Sequence, residues 1–412
     1  MFRSVIVAVA VLFSLCLAEA SAETWSFEQL ANEACTTYPS VISKELSRDA
    51  AREGVNSAEW QRYPMPGVVA DSDKSGNSNF TMRVQQILWA GGKISSEINA
   101  ARSLHGASGK AIRETQFDIV MKVIDAYVEA VREQARKTIG RNNVKQHERL
   151  DEVIKRRVVA EVSSEVDRKL SLSRLSQASN ELSTIEQALA KSLTQLSQFS
   201  GKNVTGVAPI NFETIGLPEN KEAAIQQGID WSPTLSRMAF EEAAAEAQVK
   251  VKKAAYWPTV ALRYERTFNR AVDYSTNTND ERIMVVLEAQ PGAGLSAFSG
   301  VEAEVAKLKA IREMRQGVVR ELKQLISETW DGMAAARGRL ENASSALSSS
   351  VEVFESYKRQ YIISRKSWLD VLNAVREATQ SELYAEDVHA QVEVSVLRLA
   401  LLTGKLKLKF KD

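Results

Sequence analysis

Ser164-Glu165-Val166-Asp167 and Ser367-Trp368-Leu369-Asp370 are two copies of one signal, Ser-x-x-Asp, set 203 positions apart. A serine that accepts from the amide three residues on, with an acid there that accepts from the serine's own amide, starts a helix. The first copy is followed by Leu175, Leu182, Ile185, Leu189, Leu193 and Leu196, one apolar stripe at helical spacing, and then by Gly201 as a left-handed stop. The second is followed by Leu369, Leu372, Leu383, Val392, Val396, Leu399 and Gly404. The same shift carries Tyr127 onto Trp330, Leu196 onto Leu399 and Gly201 onto Gly404. Nearer the start of each half the shift is 194, taking Pro39 to Pro233 and Tyr63-Pro64 to Trp257-Pro258. A period of this length is far beyond the roughly 20–50 residues of a solenoid unit, so it reads as a duplicated, domain-sized unit.

Residues 92 to 161 contain no proline, and Ile119, Val123, Ala126 and Ala130 recur at helical spacing. A helix of about 70 residues would run roughly 100 Å. The second copy predicts its equivalent from about residue 300 to 362. Helices of this length cannot be buried in one compact core and must lie side by side. The helix before the first strand patch, about Tyr38 to Arg62, and the one after the cap, Glu165 to Ser200, together match the long helix in length. Each repeat is therefore expected to be one long helix against two shorter ones. Asn342 to Ser350 is a small-residue face for the lumen or a neighbouring helix.

Each copy also has a short β patch. Phe80-Thr81-Met82-Arg83-Val84-Gln85 alternates with period two, as do Thr259 to Glu265 and the run resuming at Ile283. Gly76-Asn77 and Thr276 to Asp280 are the turn tips. Strands of roughly ten residues can cross a membrane when tilted. Four cannot close a pore, but several chains can do so jointly. The fold class is mainly α with a small β part: duplicated long-helix coiled-coil hairpins plus two β-hairpins. Residues 23–210 form the first repeat, with strands about 66–74 and 79–88 and a helical hairpin about 92–200. Residues 211–412 form the second, with strands about 258–270 and 280–290 and a hairpin about 300–404.

Residues 1–22 read as a signal peptide: Arg3, an apolar run from Val5 to Leu17, and Ala20-Ser21-Ala22 as the cleavage site. Cleavage leaves Cys35 as the only cysteine, so no intramolecular disulfide follows. Cys35 is either a small buried apolar residue or a reactive thiol. No later stretch approaches 18 apolar residues. With 53 basic and 52 acidic residues mixed along the chain, no basic stripe suggests nucleic acid.

In this order, after a leader, Tyr38-Pro39, Ile87-Leu88-Trp89-Ala90-Gly91-Gly92, Val123 to Tyr127, Ser164 to Asp167 and Trp368 to Asn373 make the chain resemble the TolC family of outer-membrane channels over residues 23–404. The resemblance implies a homotrimer whose twelve strands form one outer-membrane barrel on a twelve-helix periplasmic tube. Its partners would be a periplasmic membrane-fusion adaptor, an inner-membrane ABC transporter and outer-membrane lipid. Arg365 to Asn373 looks most like the branch serving type I secretion of large adhesins and agglutination proteins. Two departures stand out. Glu161 and Ser364 occupy slots, three residues before each Ser cap, where the family has glycine. Pro291 to Ser296 enlarges the second strand-to-helix junction and is expected to hold the extra residues between the two shifts.

The resemblance puts Asp370 at the periplasmic mouth, where three copies would form a carboxylate ring favouring cations. The plainer role is to complete the cap with Ser367, as Asp167 does with Ser164, and the two roles are compatible. Asn373 replaces a second acid one turn on. Tyr361, Lys366 and Asp167 match family positions that hold the closed mouth together. The alternative is solvated surface groups, whose pairs contribute about 0–1 kcal/mol each, so loosening them should leave folding intact. Trp89, Tyr256 and Trp257 flank the strands as an aromatic belt or as ordinary junction packing. Arg83, Arg263 and Glu265 alternate with apolar residues and should face the lumen.

Catalysis has no support. His105, His147 and His389 lack metal-ligand spacing, and no acid pair, nucleophile elbow or phosphate loop is present. Neither a cofactor nor a metal is expected. The readings are a passive trans-periplasmic duct for type I secretion, the outer-membrane factor of a multidrug efflux pump, and, from another class, a soluble periplasmic coiled-coil adaptor. An adaptor would carry one helical hairpin rather than two.

Overall fold

The computed structural model describes residues 24–72, 78–210, 215–270, 279–290, 292, 294 and 296–410. The expected leader, Gly76-Asn77, Thr276 to Thr278, and Pro291, Ala293 and Leu295 lie outside the described residues. In chain order the elements are β1 Thr24–Trp25, α1 Phe27–Thr37, α2 Pro39–Trp60, β2 Met65–Ser72, β3 Ser78–Trp89, α3 Lys93–Val159, α4 Glu165–Ser200, β4 Gly206–Val207, α5 Lys221–Trp231, α6 Pro233–Lys253, β5 Thr259–Arg270, β6 Asn279–Glu288, α7 Ser296–Ile362 and α8 Trp368–Leu402. The chain is mainly helical with a small sheet part, and the repeat is plain in it. The helices α3 and α7 each have 67 residues, about 100 Å at 1.5 Å per residue. Pro39 and Pro233 each open a helix, where a missing amide costs nothing.

Two compact units cut across the repeats. The first holds residues up to 38, 118–224 and 326–409; the second holds 39–117, 225–325 and 410 onward. In the first, β1 pairs in parallel with β4, and the Tyr127 hydroxyl donates within reach of the carbonyls of Trp25 (3.0 Å) and Ala208 (2.7 Å). Phe27 meets the Tyr127 ring edge-on at 5.6 Å. Arg136 reaches Asp387 at 3.2 Å and Lys137 reaches Glu186 at 3.0 Å, so α3 is tied to both α8 and α4. Cys35 is fully buried in α1, and burial pushes its thiol up to about 12. That makes it a small apolar residue rather than a nucleophile. The run Asn342 to Ser350 is mostly exposed, with Ala343 turned inward.

In the second unit the strands form one antiparallel sheet, β2-β3-β5-β6, in which the hairpin of each repeat joins through β3 and β5. Arg83 lies opposite Glu265, and Glu265 opposite Arg282. The register shifts between Ile87 and Trp89, and β3 leads into α3 through Gly91 (φ 60) and Gly92 (φ 82). A Cβ on Gly91 would stand 2.9 Å from the Trp257 Cβ, so this turn needs glycine for its backbone and for its space. The second junction, residues 289–295, is longer than its counterpart at 90–92, yet it holds only part of the insertion. The rest falls in the strand pair, since β5 has 12 residues where β2 has 8. This corrects the expectation that the junction alone accounts for the difference between the shifts.

Candidate functional site

Both Ser-x-x-Asp turns are built by the same backbone device. At the end of α3 the Glu161 amide donates to the Val158 carbonyl and the Val162 amide to the Arg157 carbonyl, each at 2.9 Å. At the end of α7 the Ser364 amide donates to Tyr361 (3.0 Å) and the Arg365 amide to Gln360 (2.9 Å). This crossed pair satisfies the last carbonyls of a helix and requires a left-handed residue between them. Those residues are Glu161 (φ 58) and Ser364 (φ 57), the only described non-glycine residues at positive φ. Each side chain costs about 1 kcal/mol in that conformation.

Three residues on, the caps close. Ser164 accepts from the Asp167 amide at 3.2 Å while its own amide donates to Asp167 Oδ2 at 3.3 Å. Ser367 accepts from the Asp370 amide at 3.2 Å, and its amide and hydroxyl both donate to Asp370 Oδ2, at 3.0 and 2.8 Å. The Ser367 hydroxyl and amide, helped by the nearby Lys366 charge, hold the Asp370 carboxyl below the usual carboxylate range.

Tyr361 is not an exposed tip group. It is 7% exposed and packs on Trp368, ring centroids 5.0 Å apart, in a cluster with Leu150, Ile154, Phe354 and Leu372. Its hydroxyl is 3.3 Å from Ser163 Oγ, so it links the two turns, and the Arg157 guanidinium lies 4.7 Å over its ring. The expectation that Tyr361 contacts contribute little is corrected by that burial. Lys366 Nζ stands 4.1 Å over the Tyr357 ring, a contact within its own hairpin. Among the described residues no ion pair joins Lys366 to Asp167. Ser163, Arg157 and Trp368 are the tip residues that sequence reasoning missed. Only the bulk of Trp368 beside the cap hinted at a buried anchor. Both turns also carry exposed apolar side chains: Val159, Val162 and Val166 on one, Ile362, Ile363 and Leu369 on the other.

At the sheet the two faces differ in chemistry. Val68, Phe80, Met82, Val84, Leu262, Ile283, Val285 and Leu287 are exposed, and by register they share one face. The other face carries polar pairs: Thr81 with Thr267 at 3.2 Å, Arg263 with Gln85 at 2.8 Å, and Arg83 with Glu265 at 2.6 Å. Arg83, Arg263 and Glu265 therefore lie together. Where strands meet helices, Trp89 and Trp257 are exposed and in edge contact at 6.1 Å, and Tyr256 stacks on Phe298 at 4.8 Å. Trp60 and Tyr63, exposed and 5.1 Å apart, enlarge this girdle beyond the residues the sequence suggested. An apolar exposed face bounded by aromatics is the pattern of a membrane-crossing β structure. Among the described residues no helix is long and apolar enough to cross a membrane.

The sequence profile of the outer membrane efflux protein family matches residues 30–202. No curated protein matches the chain by sequence. Solved structures are similar over nearly the whole length. A membrane protein from Pseudomonas aeruginosa superposes with a TM-score of 0.81 at 16% identity, covering 92% of each chain. The outer membrane protein VceC from Vibrio cholerae gives 0.79 at 15%, over 93% of this chain and 97% of its own. The open state of the Neisseria gonorrhoeae MtrE outer membrane channel gives 0.77 at 14%, over 94% and 91%. The chain thus has the fold of these outer-membrane proteins, and its first repeat is similar in sequence to the outer membrane efflux protein family.

Proposed function

We propose that the chain is the outer-membrane channel of a tripartite export system, a passive duct whose cargo is driven by a partner. One observation carries this: the sheet is largely apolar on one face, with Arg266 and Glu281 at its strand-turn end, charged on the other, bordered by aromatics and, among the described residues, unpaired at both edges, β2 and β6. In lipid each unpaired backbone group costs several kcal/mol, so these edges must find partners. Successive antiparallel pairing leaves β2 and β6 running in opposite directions. The β6 edge of one copy can therefore pair antiparallel with β2 of the next, and a ring of copies removes every edge. Three copies, as the resemblance implies, would make a twelve-stranded barrel. The exposed apolar residues at the helical turns fit docking of a periplasmic adaptor, which would bridge to an inner-membrane transporter. The test is fractionation followed by gel analysis without heating. A heat-stable trimer in the outer membrane is expected; a stable soluble monomer in periplasmic extracts overturns the reading and favours the adaptor alternative.

The cargo we infer is a large protein exported by type I secretion, on the strength of the Arg365 to Asn373 run. Multidrug efflux is the second reading, favoured by the efflux description of the matching family. A deletion strain should lose surface display of a large adhesin more than drug tolerance. Normal display with drug hypersensitivity would select efflux.

The helical turns would form the periplasmic mouth, with Asp370 of each copy in a carboxylate ring and Asp167, Lys366 and Tyr361 restraining it. In planar-bilayer recording Asp370→Ala should lower cation selectivity. Tyr361→Phe keeps the ring in its pocket and removes only the hydroxyl facing Ser163, so conductance should rise with little loss of stability. Unchanged selectivity and conductance in both would place the mouth elsewhere.

A further inference from the structure

On the polar face of the sheet, Glu265 is held by arginines from both neighbouring strands. Arg83 Nε donates to Oε1 at 2.6 Å, and Arg282 donates to Oε2 from Nε (3.2 Å) and Nη2 (2.9 Å). Arg263, one row along, spends its Nε and Nη2 donors on the neutral Gln85 and comes only within 3.9 Å of Glu265. The carboxylate side chain is 5% exposed, whereas Arg83 and Arg282 are 41% and 57% exposed. A solute passing this face meets guanidiniums, with the one carboxylate hidden beneath them. Three cations and one anion in two adjacent rows leave two net positive charges per copy. The acids of the same face lie on other rows: Asp71 and Asp280 toward the turns, Glu288 at the opposite end.

We propose that Arg83, Arg263 and Arg282 form a cationic belt inside the barrel that binds anionic groups, carboxylate or phosphate, of solutes in transit, with Glu265 as its positioning residue. The planar fork of arginine suits such oxyanions. One guanidinium edge of Arg83 and of Arg282 is committed to Glu265, which orients the remaining donors. Pairing each arginine with a carboxylate would have cancelled the charge; sharing one carboxylate orients two arginines and keeps most of it. This inference rests on the channel reading.

The test uses the assembled oligomer in a planar bilayer, with inorganic tripolyphosphate added from the strand-turn side. Current block is expected in the wild type. Arg263→Gln lowers the belt charge and should weaken block by roughly three- to tenfold, the order expected after salt screening for unit charges about a nanometre from an ion of about four negative charges. Glu265→Gln raises the charge while its amide oxygen still accepts from an arginine, and should strengthen block. The reversal potential in a KCl gradient should move in opposite directions for the two variants. If both block alike, or both equal the wild type, the belt is wrong although the channel stands. If neither the wild-type oligomer nor its Tyr361→Phe variant conducts, the channel reading falls and the belt with it. Should Glu265→Gln fail to assemble, Arg263→Gln alone still decides.

Discussion

The helices α4 and α8 open with the same capping box and end with a left-handed glycine close behind, yet their side chains meet different surroundings. At the first position α4 has the exposed Glu165 and α8 has Trp368, 4% exposed. Farther on, Arg168 and Lys169 of α4 correspond to the fully buried Val371 and Leu372 of α8. Val166 is exposed like its counterpart Leu369, and Leu170 packs partly against the tip cluster that α8 dominates. Duplication has kept what a helix end needs from its own backbone, since a cap or a crossed amide pair has no other partner. It has not kept what each face needs from its neighbours. Here α8 buries much of its surface within its unit, while α4 keeps most of its own exposed.

The largest effect should come from removing the buried anchor. Trp368→Ala should cost about 3–5 kcal/mol of stability, measured by denaturant unfolding in detergent, against less than about 0.5 for Glu165→Ala. Equal losses would break the comparison. Trp368→Phe should cost far less, because the Trp368 Nε1 is buried without a partner among the described residues and phenylalanine carries no such donor.

A second contrast lies lower on the same helices, where α8 buries Glu393 and the matching residue of α4 is the exposed Ala190. Burial, with the Glu386 charge nearby, pushes Glu393 up to about 7 from 4.5, and His389 Nδ1 lies 3.6 Å away. The folded state thus binds a proton between pH 4.5 and 7 that the unfolded chain has released, so stability falls as pH rises through that window. Glu393→Gln removes the penalty. It should stabilise by about 1–2 kcal/mol above pH 7 and by nothing below pH 4.5, read from midpoints at both ends. A gain independent of pH would mean that the side chain stays neutral throughout.

The smallest effect should be the most even. Glu161→Gly and Ser364→Gly relieve the same left-handed residue at both turns, and each should stabilise by about 0.5–1 kcal/mol. Here the helices should not differ, because the device is local. A gain at one turn alone would show that the other side chain has a compensating partner.

The repeat, the long helices, the caps and the alternation of the strands were legible in the sequence because each is set by residues a few positions apart. The two slots where the family has glycine, Glu161 and Ser364, proved to be the left-handed residues, a conformation the sequence reading does not assign to them. Burial of Tyr361 was not legible: its partner Ser163 is 198 positions away, and a turn read alone looks exposed. Alternation put Glu265 on one face with Arg83 and Arg263 but did not show that arginines 182 and 17 positions distant share its carboxylate, since register across strands is a tertiary fact. Trp60 and Tyr63 were overlooked because an aromatic pair beside a proline reads as a helix end until the sheet it borders is known.

The two unpaired edges of the sheet carry a genetic consequence. If closure needs every β6 edge to meet a β2 edge, a copy with one blunted edge spoils any ring it joins. Such an allele should be dominant: expressed equally with the wild type, it should leave only about one ring in eight intact if rings are trimers of randomly mixed copies. Export should then fall far below half, whereas an allele that merely unfolds the chain should leave about half.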